Sequence, residues 1–248
     1  MTRLPLRQLL GRCAALALDL LFPARCARCT RIVEVQTPWC PECARQVLPL
    51  PFCYCPSCSR RTPTGHTCMG CRKKTPLAGL IASYPYASAP VREAILALKF
   101  RGITLYAPAL AKGIAAFVES QTPPLPVFDP DKTLLVPVPL APRRFRERGF
   151  NQAEVIARHL GARLRLPVAA YALGRTRETT PQTTLADART RRENVARAFS
   201  VNEPEAVRRK TILLVDDVYT TGATMAECAK TLHDAGSRDV WGVAIAKG

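Results

Sequence analysis

The stretch Thr211-Ile-Leu-Leu-Val-Asp216-Asp217-Val-Tyr-Thr220-Thr221-Gly222-Ala223-Thr224 decides the fold. Ile212-Leu-Leu-Val215 is a continuous apolar run, as expected of a strand buried on both faces. Asp216 and Asp217 come next, so two carboxylates stand at the carboxyl end of a buried strand, the edge where open α/β sheets bind ligands. The Thr-Gly loop then opens a helix over Ala223–Ala235 that Gly236 closes. Free backbone amides, the helix dipole and three hydroxyls at that point would cradle a phosphate monoester. The loop is not a Walker motif, because no Lys follows Gly222. Adjacent acids beside a phosphate cradle suit a ribose 5-phosphate, with the carboxylates accepting hydrogen bonds from two ring hydroxyls. The plainer reading makes Asp217 or Thr221 a helix cap. It leaves two neighbouring carboxylates after four apolar residues with nothing to pair with, which is costly.

Working outward, Leu80–Tyr86, Thr133–Pro139, Val168–Leu173 and Val240–Ala246 read as strands, and Val91–Phe100, Leu105–Val118 and Gln152–Leu164 as amphipathic helices. Gln121–Pro130 is a Pro-rich loop. Strands alternating with helices imply an α/β domain with a doubly wound, mostly parallel sheet, running from about residue 80 to 248. Residues 1–23 read as an amphipathic helix whose apolar run is too short to span a bilayer and is interrupted by Asp19. No transmembrane segment is expected.

Residues 24–75 show neither helical nor strand periodicity, and Pro41, Pro51, Pro56 and Pro63 punctuate them. Such a segment must be held by something other than a core. Four separate pairs with two-residue gaps supply the means: Cys26 and Cys29, Cys40 and Cys43, Cys55 and Cys58, Cys68 and Cys71. Each pair makes a knuckle, two knuckles make one tetrahedral site, and eight sulfurs therefore fit two structural zinc ions. Pairing in sequence order is the simpler arrangement, and interleaving is the other. A disulfide cluster fits the two-residue gaps badly. Cys53 and His66 read as bystanders, and Cys13 and Cys228 as core residues on helices.

The 36 basic residues against 19 acidic ones give a formal charge of +17, and 28 of the 36 are Arg. Residues 1–80 hold 12 basic and 3 acidic groups, a surplus of 9 on the shorter part. Such a field favours nucleic acid, nucleotide phosphates or an anionic membrane surface. Clusters at Arg25–Arg31, Arg60–Lys74 and an Arg-rich loop at Arg143–Arg148 are the places where a single strand's backbone would bind.

Val215–Thr224 resembles the phosphoribosyl pyrophosphate (PRPP) motif of type I phosphoribosyltransferases, and nearly the whole chain resembles the ComF family of competence-associated proteins, which implies a double zinc ribbon at residues 24–75 joined to a phosphoribosyltransferase-like domain. Leu21-Phe-Pro23, Leu98-Lys-Phe-Arg-Gly102, Pro137-Val-Pro-Leu140, Arg148-Gly-Phe-Asn-Gln152 and Arg191-Arg-Glu-Asn194 carry the rest of the likeness in order. The resemblance assigns Asp216 and Asp217 to the ribose hydroxyls, and Thr220, Thr221, Gly222, Ala223 and Thr224 to the 5′-phosphate. It places magnesium-bound diphosphate at Pro139 and Leu140, with Arg148 and Lys99 adding positive charge.

The same resemblance implies a cytoplasmic protein that binds PRPP with magnesium and single-stranded DNA and acts in DNA uptake and natural transformation, with a DNA-uptake helicase as a further partner. An active phosphoribosyltransferase of nucleobase salvage is the alternative. No hood that would select a base is evident in the sequence.

Overall fold

In a computed structural model, the structure describes residues 23–121, 125–126, 128–177, 190 and 195–248. The expectations for residues 1–22, with Cys13, and for Arg191–Asn194 lie outside the described residues. The chain runs α1 (Pro41–Ala44), β1 (Cys53–Tyr54), β2 (Arg61–Thr62), β3 (Gly79–Pro85), α2 (Ala89–Phe100), α3 (Ala107–Ser120) and β4 (Thr133–Pro137). It continues with α4 (Pro142–Arg148), α5 (Gln152–Leu164), β5 (Leu173–Arg175), β6 (Phe199–Val201), α6 (Pro204–Val207), β7 (Thr211–Tyr219), α7 (Ala223–Asp234) and β8 (Asp239–Lys247).

β3, β8, β7 and β4 form one sheet in that order, and every pairing in it is parallel. Side chains alternate between its faces with period two. Ile81, Leu213, Val215, Val243 and Ile245 pack with Ala94 and Leu98 of α2, Leu110 and Ile114 of α3, and Ile156 and Leu160 of α5. Leu80, Ala82, Ile212, Leu214, Val240 and Ala244 pack on the other face with Cys228, Ala229 and Leu232 of α7. Helices cover both faces, as a parallel sheet without a solvated side requires. Cys228 is a core residue, fully buried.

Three local expectations need correcting. Val168–Leu173 is not a strand: Val168 makes only an isolated parallel bridge to Leu135, and the strand begins at Leu173, pairing antiparallel with β6. Arg143–Arg148 is not a loop but the body of α4, a short helix with no buried residue, a Pro at its start and left-handed Gly149 at its end. With no apolar stripe, it gave no period to read. β7 does not stop at Val215 but runs through both acids to Tyr219, because β8 is long enough to pair with it, Asp216 opposite Ala244 and Tyr219 opposite Lys247.

Candidate ligand cleft and paired zinc modules

A cleft of about 640 Å³ opens at the carboxyl edge of the sheet. Lys99, Pro139, Leu140, Arg148, Asp216, Asp217, Thr220, Gly222, Ala223 and Thr224 all line it, so residues from α2, the β4–α4 turn, α4, β7 and the start of α7 meet at one cavity. Thr221 instead faces a second cavity of about 310 Å³ on the other side of the loop, lined also by Pro56 and Ser57. Sequence reading missed Tyr86, Phe100, Arg175 and Tyr219 among the cleft walls. Phe100 could have been found from its place beside Lys99. Arg175 sits on a strand that periodicity had misplaced.

The two acids differ because strand alternation sends them to opposite sides of the sheet end. Asp217 is buried and its Oδ1 lies 2.7 Å from Lys99 Nζ, while its Oδ2 is buried with no hydrogen-bond partner. Asp216 Oδ1 accepts a hydrogen bond from the Asp217 backbone N–H at 2.8 Å. Burial, reinforced by the charge of Asp217, pushes the Asp216 carboxyl up to about 7, with Lys99 opposing the rise. Burial disfavours the Lys99 ammonium, but Asp217 and Asp216 outweigh it and hold the pKa above its ordinary value. Arg148 is lowered by burial, with Asp217 pulling the other way.

The loop is built to a tight tolerance. Gly222 has a left-handed φ of +72°, and a Cβ there would collide with the Tyr219 hydroxyl. Tyr219, itself 4% exposed, donates from that hydroxyl to the Pro56 carbonyl at 2.7 Å. Across the cleft, Val138 N–H donates to the Val215 carbonyl at 2.8 Å and the Asn151 amide donates to the Val138 carbonyl at 3.0 Å, which fixes the turn carrying Pro139 and Leu140.

The eight cysteines gather into two clusters in sequence order, Cys26, Cys29, Cys40 and Cys43, then Cys55, Cys58, Cys68 and Cys71, with the sulfurs of each within 4.8 Å of one another. Cys29 and Cys40 Sγ are 3.6 Å apart, and Cys58 and Cys68 Sγ 3.7 Å. A tetrahedral zinc with Zn–S bonds of about 2.3 Å needs sulfurs about 3.8 Å apart, so both clusters fit the ion. The first thiol of each cluster is held below the ordinary thiol range. Burial opposes ionisation of Cys26 and Cys55, yet knuckle amides aimed at the sulfurs, those of Cys29, Cys40 and Arg28 in one and Cys58, Cys68 and Ser57 in the other, bring each down to about 6. The bystanders stay outside: Cys53 Sγ donates to Gln121 Oε1 at 3.4 Å, and the His66 ring meets Trp241 edge-on at 4.6 Å.

These features define a class: a parallel α/β domain with a cleft at its carboxyl edge, carrying two structural zinc sites. Residues 17–72 match the family described as Double zinc ribbon domain. The chain is 33% identical over 218 residues to "DNA utilization protein YhgH" of Escherichia coli strain K12, covering 87% of this chain and 88% of that one. It is 30% identical over 231 residues to "Competence protein F" of Haemophilus influenzae, covering 91% and 98%. Similarity to "Competence protein ComFC" of Streptococcus pneumoniae is 32% over 105 residues, 42% and 44% of the two chains. The chain belongs to the ComF family. Among the described residues no helix is long and apolar enough to cross a membrane.

Proposed function

We propose that the cleft binds PRPP with magnesium and that the basic surfaces bind single-stranded DNA, so that the protein acts in DNA uptake as the names of its relatives suggest. The observation that carries the ligand half is Asp217 Oδ2, a buried carboxylate oxygen without a partner beside a Thr-Gly helix start. A ribose hydroxyl is the donor that would satisfy it. Thr220 and Thr224, with the loop amides, would take the 5′-phosphate. Pro139, Leu140, Arg144 and Arg148 border the end of the cleft where a magnesium-bound diphosphate would be neutralised by guanidinium groups. Magnesium bound to the diphosphate would supply charge neutralisation there.

For the nucleic-acid half, Arg25, Arg28, Arg31, Arg60, Arg61, Arg72, Lys73 and Lys74 are all exposed on the zinc modules. Arg61 lies over the half-exposed Phe52 ring at 4.4 Å. Backbone charge with little stacking would give affinity without sequence preference.

Isothermal titration tests the ligand site. The parent should bind PRPP with magnesium, and the double variant Asp216→Asn, Asp217→Asn should bind none at the same concentrations. Equal binding by parent and variant would refute the site. Pyrophosphate release on adding a nucleobase would move the reading to a salvage phosphoribosyltransferase.

A further inference from the structure

The smaller cavity behind the Thr-Gly loop has no task in the reading above. Its walls come from three places: Ser57 between the knuckle cysteines Cys55 and Cys58, Lys74 and Thr75 just after Cys71, and Thr221, Glu227 and Lys230 from the loop and α7. Each wall is fixed by a bond. The Tyr219 hydroxyl donates to the Pro56 carbonyl, the Lys74 N–H donates to the Cys71 carbonyl at 2.8 Å, and His233 Nε2 of α7 donates to the Pro76 carbonyl at 2.9 Å. The second zinc module and α7 thus hold between them a space of about 310 Å³, at the small end of ligand sites. Thr221 faces this space rather than the larger cleft, and its Oγ1 is buried without a hydrogen-bond partner. Such a hydroxyl costs free energy until something pairs with it. Lys74 and Lys230 border the same space, and neither is ion-paired among the described residues. Glu227 is the one acid among the described lining residues, and its Oε1 already accepts from the Arg197 N–H at 2.6 Å. Thr75 Oγ1 accepts from the Leu77 N–H at 3.3 Å, which leaves its own proton to donate. Three hydroxyls and two ammonium groups around one small space call for an anion rich in acceptor atoms.

We propose that this cavity is a second anion site, taking inorganic phosphate between the ammonium groups of Lys74 and Lys230 and the hydroxyls of Ser57, Thr75 and Thr221. A tetrahedral oxyanion carries enough acceptor lone pairs to satisfy all five groups at once, whereas an apolar occupant would leave them unpaired. The site exists only where the second zinc module meets α7, so neither the zinc ribbon nor the α/β domain forms it alone. It does not depend on what the larger cleft binds, because Lys74, Lys230 and Thr221 do not line that cleft.

Lysine acetylation of the zinc-loaded protein, read peptide by peptide by mass spectrometry at constant ionic strength, tests the site. Inorganic phosphate should slow modification of Lys74 and Lys230 together and leave the exposed Lys112 of α3 unchanged. The concentration giving half protection should rise about tenfold in Lys74→Ala, read at Lys230, and several-fold in Thr221→Val, read at both lysines, as the loss of a charged and of a neutral hydrogen-bond partner implies. Because the hydroxyl is unpaired without the anion, Thr221→Val should melt no lower than the parent in phosphate-free buffer. A lower melting temperature would mean that the hydroxyl is already paired within the fold, and overturns its part in the site. Equal slowing at Lys74, Lys230 and Lys112 would reduce the effect to screening and overturns the site altogether. Protection by an oligothymidylate with none from phosphate overturns it as well, since the two lysines would then belong to a strand's backbone.

Discussion

The two zinc modules have the same four sulfurs, nearly the same spacing and the same lowered first thiol, yet they grip different parts of the α/β domain. The first is tied to the helical face: Trp39 Nε1 donates to the Pro90 carbonyl of α2 at 2.8 Å, and the Tyr106 hydroxyl donates to the Arg25 carbonyl. The second is tied to the ligand loop, through the buried bond from Tyr219 to Pro56 between two knuckle cysteines, with Ser57 facing Thr221 across the smaller cavity. Identical coordination chemistry thus serves two mechanical ends. One site fastens the start of the helix whose last turn carries Lys99, and the other lies directly behind the Thr-Gly loop.

The sharpest way to break this contrast is to remove one ion at a time. The purified protein should carry about two zinc ions. Cys26→Ser with Cys29→Ser should drop the content to about one and leave PRPP affinity close to the parent's, whereas Cys55→Ser with Cys58→Ser should drop it equally and weaken PRPP about tenfold or more, since loss of a structural site unfolds its knuckles. Metal analysis beside titration calorimetry reads both, and equal affinity losses in the two variants would erase the distinction. Charge comes next. Replacing Arg60, Arg61, Arg72, Lys73 and Lys74 of the second module by Ser should flatten the salt dependence of single-strand binding more than replacing Arg25, Arg28 and Arg31 of the first, at about 0.7 counterions per lost phosphate contact. Anisotropy over a salt series, with heparin as competitor, measures the slopes.

Acidity separates the loop from the first module in a smaller way. A carboxyl raised from 3.8 to about 7 in the folded state gives stability that is complete below the lower value and lost as pH rises through the upper one. Asp216→Asn should therefore melt like the parent near pH 4 and several degrees higher at about pH 8. A constant offset at both would contradict the raised carboxyl. The smallest expected effect is that of Tyr219→Phe. It removes one buried hydrogen bond, about 1 kcal/mol, and leaves the Pro56 carbonyl without its donor. PRPP affinity should fall several-fold with zinc content unchanged, and an unchanged affinity would mean that the loop does not feel the knuckle.

What could be read in advance follows from how local each signal is. Ile212–Val215 announced a buried strand because four apolar residues in a row have no solvated face, and Gln152–Leu164 appeared at the expected boundaries because its Asn151 cap and apolar period are both local. The cysteine knuckles were legible for the same reason, four identical gaps each stating a geometry. The antiparallel pairing of β5 and β6 was not, since strands of three residues carry no period. Phe100 looked like the end of an amphipathic helix, and only the fold shows it leaning on Arg148, 48 positions later. The bond from Tyr219 to Pro56 joins residues 163 apart, a distance at which no spacing rule speaks.

That same separation sets an order of assembly during synthesis. Each knuckle pair closes over fewer than twenty residues, so both can capture their ions once Cys71 has left the ribosome. The central sheet cannot close until β8 arrives between β3 and β7, since among the described residues the only neighbour of β3 in the sheet is β8. At translation rates of about 5–20 residues per second, the interval between Cys71 and Asp239 is roughly 10–30 s. Throughout it the second module waits without the Tyr219 hydroxyl on its Pro56 carbonyl, an early-made template onto which the late-made Thr-Gly loop is finally moulded.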